Sequence, residues 1–243
     1  LITADLGVAS MIRRTFPDLP LHGSTQMSGH NLDAARELAR LGFERMVIAR
    51  ETSRENLELI CRESPIEIEA FVHGSMCVSY SGRCMLSDFM VNRSANHGAC
   101  AQPCRWNYKI VEEKRPDEHL PVIENENGTF IMSSKDMCTL RHIPALIEAG
   151  VSSFKIEGRM KRPEYVAAAT AAVRQAVDNG YTDEKLLETL RNVFSRSGFT
   201  DGYFTDRKGA DMFGTRTIEE IEASKEGFAS IHEFYRNERQ SIP

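Results

Sequence analysis

Four cysteines crowd into one stretch of the chain, Cys77, Cys84, Cys100 and Cys104, with the spacing C-x6-C-x15-C-x3-C. Thiolates are ligands for zinc and for iron–sulfur clusters. Zinc sites favour two short C-x2–4-C knuckles, and only Cys100 and Cys104 approach that spacing. Iron–sulfur spacings vary more, so a sulfur-ligated cluster is the first reading and zinc the second. Two further readings stay open. The four residues could be reduced thiols packed beneath a loop, or Cys77 could be a nucleophile with His73 as its base. The neighbouring thiols favour shared ligation over the nucleophile, and neither H-E-x-x-H nor G-x-S-x-G occurs. Of the other two cysteines, Cys61 sits on an amphipathic helical pattern and reads as core. Cys138, in "SSKDMCTL", could replace one member of the quartet.

A second concentration of chemistry is "FKIEGRMKRPEY". Glu157 and Arg159 are two apart and share a face if the strand continues, and Lys161 extends the row. An arginine fork suits a carboxylate or phosphate, and a glutamate can orient it or move a proton. The plainer reading is a surface ion pair at a strand end. Arg83, Arg93, Arg105 and Lys109, with Trp106 and Tyr108, could form a basic aromatic patch suited to single-stranded nucleic acid. Alternatively, Trp106 simply roofs the fold.

The elements that must position these residues follow a repeating rhythm. "LITADLGV", "LHGSTQM", "RMVIAR", "IEIEAFVHG" and "VSSFKIEGR" read as strands. Between them, "NLDAARELARLGF" has a helical apolar face ending at Gly42. "TSRENLELICRES" is a helix capped at Thr52 or Ser53, and "LRHIPALIEAG" is another. Such alternation implies a parallel sheet covered by helices. Asp5, Gln26, Arg50, Glu51, His73, Glu157 and Arg159 fall at or just beyond different strand ends, which is how a barrel assembles its active face. No G-x-G-x-x-G opens a helix after a strand.

The expected fold is therefore α/β, the C-terminal part of a (β/α)8 TIM-like barrel. About five strands are visible, so the first strands are expected before Leu1. Residues 1–163 form the partial barrel, interrupted by a cysteine-rich insertion at about 77–135 in which "KRPDEH" reads as a solvated loop. Residues 164–195 form a helical extension stopping first at Gly180. Residues 196–243 form a tail, turn-rich with some β character, then a charged linker helix toward an absent domain.

Composition sets outer limits. With 41% hydrophobic and 27% charged residues, the chain has the make-up of a soluble globular protein. No apolar run approaches the roughly 20 residues of a membrane span, and no export signal opens the chain, so the expected location is the cytoplasm, away from membranes. Leu1 in place of Met suggests a piece of a longer protein. A net charge of −5 argues against a generally basic coat, so any nucleic acid would be held by a local patch.

The stretches "EAFVHGSMCVSYSGRCMLS", "GACAQPCRW" and "FKIEGRMKRPEYV" closely resemble the peptidase U32 family, whose members are often called collagenase-like proteases. "ADLGV", "HGSTQM" and "VIARE" are similar to its successive strand ends, and the likeness extends over roughly residues 1 to 175. The resemblance implies an oxygen-independent RNA hydroxylase acting on a tRNA wobble uridine or a 23S rRNA cytidine, with prephenate as co-substrate. It implies a [4Fe–4S] cluster on Cys77, Cys84, Cys100 and Cys104, with Cys138 as the alternate ligand. His73, Glu157, Arg159 and Asp5 are then the catalytic candidates. Gln26, Arg50, Arg105 and Trp106 are the substrate-binding candidates, with Arg50 or Arg159 on the donor's carboxylates. A base entering such a pocket would have to leave its stack. Partners implied are RNA, the missing N-terminal part of the barrel and a family partner subunit. The family also admits a collagenase-like peptidase and a non-catalytic cluster-binding partner.

Overall fold

A computed structural model of the chain describes residues 1–106, 108, 110–120, 132–158, 161–194 and 198–214. Arg159, Lys109 and the charged segment after residue 214 lie outside them.

The first elements are β1 (Ile2–Thr3), α1 (Leu6–Thr15), β2 (His22–Gly23), α2 (Leu32–Arg40), β3 (Arg45–Val47), α3 (Arg54–Glu63) and β4 (Glu67–Gly74). A short α4 (Leu86–Val91) precedes a separate antiparallel hairpin of β5 (Ile110–Glu112) and β6 (Arg115–Leu120). Then come β7 (Asp136–Cys138), α5 (Ile143–Glu148), β8 (Ser153–Ile156), α6 (Pro163–Asn179), α7 (Glu184–Phe194) and β9 (Phe199–Thr200). "KRPDEH", expected as a loop, thus lies largely in β6, where a partner strand supplies the hydrogen bonds that its composition does not suggest.

Local chemistry explains the helix ends. The Asn31 side chain accepts from Ala34 N at 2.8 Å to cap α2, and Ser53 caps α3 through Asn56 N. Helix α6 begins on Pro163 and stops at Gly180, whose φ of +75° places it in the left-handed region that a helix terminus favours. Its buried Tyr165, Ala168, Ala169, Ala172 and Ala176 make a stripe of mostly small side chains that seats the helix against the core.

Strands β1, β2, β3, β4 and β8 run parallel in that order, each beside its predecessor. The order never reverses, so the crevice of a doubly wound sheet is absent. The expected barrel does not close among the described residues, because β1 and β8 are not paired. Among the described residues the sheet has seven strands. Antiparallel β7 joins the end of β4 at His73 and Gly74, and β9 pairs with β7. The fold is α/β with a mainly parallel open sheet. Helices α6 and α7 contribute to the main core, and β9 joins the sheet.

Alternation along the strands divides the sheet's two faces. Met46, Ile48, Ile68, Ala70 and Val72 pack among the helices with Leu57, Ile60, Leu146 and Ala169. On the opposite face Val47 and Phe71 form a smaller apolar cluster with Met76, Met137 and Met212. That face also carries Arg45, Glu69 and Lys155, tied by ion pairs of 3.3 Å (Arg45–Glu69) and 2.7 Å (Lys155–Glu69). No helix among the described residues is long and apolar enough to cross a membrane.

Candidate functional site at the strand ends

The non-helical face of the sheet opens at the C-terminal ends of its strands. Arg50, just beyond β3, lies with its guanidinium 3.7 Å over the Phe71 ring, and its Nη2 donates to Glu157 Oε2 at 3.0 Å. Nη2 is the only guanidinium nitrogen of Arg50 that donates to a described residue, which leaves most of the fork unused. The Arg50 side chain is 10% exposed and that of Glu157 35%. Glu157 is brought here by β8: its N–H donates to His73 O at 2.8 Å. The approach is so close that a Cβ on Gly74 would lie 2.5 Å from Glu157 O, and the φ of +122° at Gly74 is itself a glycine conformation.

The turn "YSGR" docks the cysteine segment onto this rim. Glu51 accepts from Ser81 N at 3.0 Å and from Ser81 Oγ at 2.9 Å. Gly82 sits on the backbone of Gln26, where a Cβ would meet the carbonyl oxygen at 2.2 Å, and Arg83 donates to Ser28 Oγ at 3.0 Å. Gln26 Nε2 donates to Asn96 O at 3.0 Å, tying a later part of the same segment to the β2 end. Further along, Arg105 bonds Asp136 Oδ1 at 3.3 Å and Met76 O at 3.2 Å, and Ser134 Oγ donates to the same carbonyl at 2.7 Å.

These anchors gather the four cysteines. Cys77 and Cys100 reach the surface, and Cys84 and Cys104 are half-buried. Cys77 keeps an exposed edge, yet chain crowds its sulfur enough that desolvation is the largest influence on it. Desolvation pushes its thiol up, Arg50 opposes that, and the charges of Cys100, Cys84 and Glu157 raise it further. The Cys104 thiol is raised by burial, lowered by Arg105 and raised by Cys77, Cys100 and Cys84. The quartet is thus one electrostatic neighbourhood, with the Arg50–Glu157 pair beside it. Cys100 Sγ also accepts a hydrogen bond from Gln102 N at 3.3 Å. Among the described residues no three His, Cys, Asp or Glu side chains converge closely enough to hold a single metal ion.

The other predicted residues are distributed unevenly. Cys138 pairs in register with His73 and packs against the helical core. Its thiol is pushed up to about 11 by burial, and the charges acting on it are Arg141, Asp201 and Arg191, not the quartet. Cys61, on α3, is likewise raised to about 11 by burial. His73 is 1% exposed, its ring 5.8 Å from that of Tyr165 and 5.2 Å from that of Phe199. Burial, with Lys161 adding to it, lowers its pKa to about 4, so it is neutral at neutral pH. Asp5 spends its carboxylate capping α1, accepting from Val8 N at 2.7 Å. Arg105 is buried against Asp136, which makes it an anchor of the cysteine segment. Trp106 is 39% exposed on that segment.

Sequence reasoning missed Phe71, which carries Arg50, and Asp136, which holds Arg105. It also missed Tyr203, which packs on the Phe71–Met76 cluster from a segment read as tail. Phe71 could have been found from strand alternation, which sets it on the face opposite Ala70 and Val72, whereas the bulge between Phe71 and His73 was not visible in the sequence. Tyr203 had no local signal beyond an aromatic in a glycine-bounded turn.

The profile of peptidase family U32 matches residues 1–213. "tRNA hydroxylation protein P1" of Bacillus subtilis is 40% identical over 88% of this chain and 52% of its own length. "23S rRNA 5-hydroxycytidine C2501 synthase" of Escherichia coli is 35% identical over 86% of this chain and 32% of its own. "Collagenase" of Porphyromonas gingivalis is 38% identical over 83% of this chain and 51% of its own. The chain spans about half the length, or less, of these curated relatives. No solved structure matches it.

Proposed function

The chain belongs to peptidase family U32, and on that premise we propose that it is the strand-end site of an oxygen-independent RNA hydroxylase of the cytoplasm. The observation that carries the reading is the gathering of four mutually influencing thiols beside an under-used arginine at the mouth of a parallel sheet. The names of two relatives, one a tRNA hydroxylation protein and the other an rRNA hydroxycytidine synthase, support it. Completion of the strand arc into a barrel by the rest of the protein, and a partner subunit, belong to the same proposal.

Cys77, Cys84, Cys100 and Cys104 would hold a [4Fe–4S] cluster. When bound, such a cluster supplies one-electron transfer or a Lewis-acidic iron. Arg50 binds a carboxylate of a prephenate-like donor through its unused N–H groups, its plane held by Phe71 and Glu157. Glu157, about one-third exposed and bonded to Arg50 through Oε2 alone, keeps its other carboxylate oxygen for moving a proton at the donor. His73 is assigned no proton: buried and neutral, it holds Glu157 in place through its backbone carbonyl. Asp5 and Arg105 shape the site through the helix cap and the anchor they make.

The collagenase relative keeps a peptidase reading in view, but the placement of the imidazole speaks against it. An activated cysteine needs a base beside it, whereas the His73 ring is 1% exposed and packs on Tyr165 and Phe199. Mass spectrometry of nucleosides from a deletion strain tests the proposal. Loss of a hydroxylated uridine from tRNA or cytidine from 23S rRNA is expected, restored by the full-length gene. Unchanged RNA together with lost peptide cleavage would transfer the assignment to the peptidase.

A further inference from the structure

Segment 199–214, expected as a tail, returns across the strand ends and is fastened on both sides. Arg54 N donates to Phe204 O at 2.9 Å, Lys135 N to Met212 O at 2.8 Å, and Gly214 N to Ser133 O at 3.0 Å. Asp201 adds side-chain ties, to His142 Nε2 at 2.8 Å and to Arg207 at 3.2 Å. Backbone crowding fills the turn: a Cβ on Gly202 would lie 2.7 Å from Arg207 O. A segment tied to α3, to the residues before β7 and to the start of α5 is a fixed strap over the mouth.

Tyr203 is the strap residue that faces the site. Its ring is half-buried against the cluster of Val47, Phe71, Met76 and Met212. Phe71 carries the Arg50 guanidinium, and Met76 immediately precedes Cys77. The Tyr203 hydroxyl lies within electrostatic reach of Glu51, Tyr80, Lys208 and Cys77. Tyr80 is 73% exposed, and Lys208, paired with Asp206 at 2.8 Å, lies at the surface within reach of both tyrosines. Aromatic faces beside a cation are the combination that holds unpaired bases, because every base offers a π-face and every nucleotide a phosphate.

We propose that Tyr203 contacts the substrate, stacking on an unpaired pyrimidine base at the mouth with Tyr80 as the outer ring and Lys208 toward the backbone. The assignment rests on the RNA-hydroxylase reading and adds to it the residue that receives the base. The strap fixes the ring in advance, so little side-chain freedom is lost on binding.

The test uses the full-length, cluster-loaded protein and short dye-labelled oligouridylate and oligocytidylate, with binding followed by fluorescence anisotropy of the dye. Tyr203→Ala is expected to weaken binding about tenfold or more, as loss of one base–aromatic stack does. Tyr203→Phe keeps most of the affinity because the ring remains. Iron content and melting temperature stay at the wild-type level in both. If alanine loosens the fold, Tyr203→Leu replaces it, filling the apolar side without offering an aromatic face. Equal affinity for wild type and the ring-less variant, no binding by wild type, or equal loss in the phenylalanine variant each overturns the proposal. Nucleoside analysis of a complemented deletion strain runs beside it. RNA hydroxylation unaffected by the deletion defeats the hydroxylase reading alone, while the binding measurement still decides Tyr203.

Discussion

Two charged layers share the non-helical face of the sheet, and they are finished differently. In the layer nearer the strand starts, Arg45 forks onto Glu67 at 2.8 and 2.6 Å and reaches Glu69 at 3.3 Å. Lys155 closes the network on Glu69 at 2.7 Å. Burial works against the Glu69 charge, yet Lys155 and Arg45 together hold its carboxyl below the ordinary value. In the layer at the strand ends, Arg50 meets one carboxylate through one nitrogen and otherwise rests on Phe71. The saturated layer braces the sheet. The unsaturated one keeps donors for an incoming anion, beside Cys77 and Cys104, whose thiols are raised chiefly by burial. Satisfied charge makes structure, and charge left partly unsatisfied makes a site.

The largest test of this contrast concerns the thiols. Cys77→Ser or Cys104→Ser should lose most of the iron and sulfide taken up on anaerobic reconstitution. Cys61→Ser and Cys138→Ser, isolated in the helical core, should keep it. A quartet variant with full iron content would dissolve the distinction between the two kinds of cysteine.

His73, between the layers and the core, gives the next effect. Its folded pKa of about 4 lies below the ordinary histidine value of about 6.5. The unfolded chain therefore binds the extra proton first. The stabilisation is complete above pH about 6.5 and is lost as pH falls toward about 4, some 3 kcal/mol in all. Urea titrations across that window should show the loss in wild type and a flatter profile in His73→Phe.

The smallest effects separate the layers directly. Arg50→Ala should lower hydroxylation roughly 10- to 100-fold, the worth of a charge-assisted hydrogen bond, with little change in the urea midpoint. Glu69→Gln should do the reverse, costing about 1–3 kcal/mol of stability while leaving iron content and oligonucleotide affinity in place. If both variants lost stability alone, the upper layer would be bracing too.

Much of this was legible without coordinates. The strand–helix rhythm, the cap at Ser53, the stop at Gly180 and the polar residues at strand ends follow from interactions a few residues apart. Such interactions depend on side-chain type and spacing alone. The cysteine spacing likewise marked the quartet, and Glu157 and Arg50 were named from their strand-end positions.

What the chain's order of residues could not convey is where distant segments meet. Asp5 has the chemistry of a catalytic acid and is a helix cap, because the N–H of Val8, three residues on, donates to its carboxylate, a local pattern that the strand-end reading passed over. Arg105 has the chemistry of a substrate clamp and is an anchor, because Asp136, from a strand 31 residues on, waits beneath it. His73 is sealed by Tyr165 and Phe199, and Tyr203 enters the site only because β9 pairs with β7. Residue type and local period fix the elements, their caps and their chemistry at short range. Burial and partner, which separate an anchor from a working group, are set by pairings across tens to more than a hundred residues, and those exist only once the chain has folded.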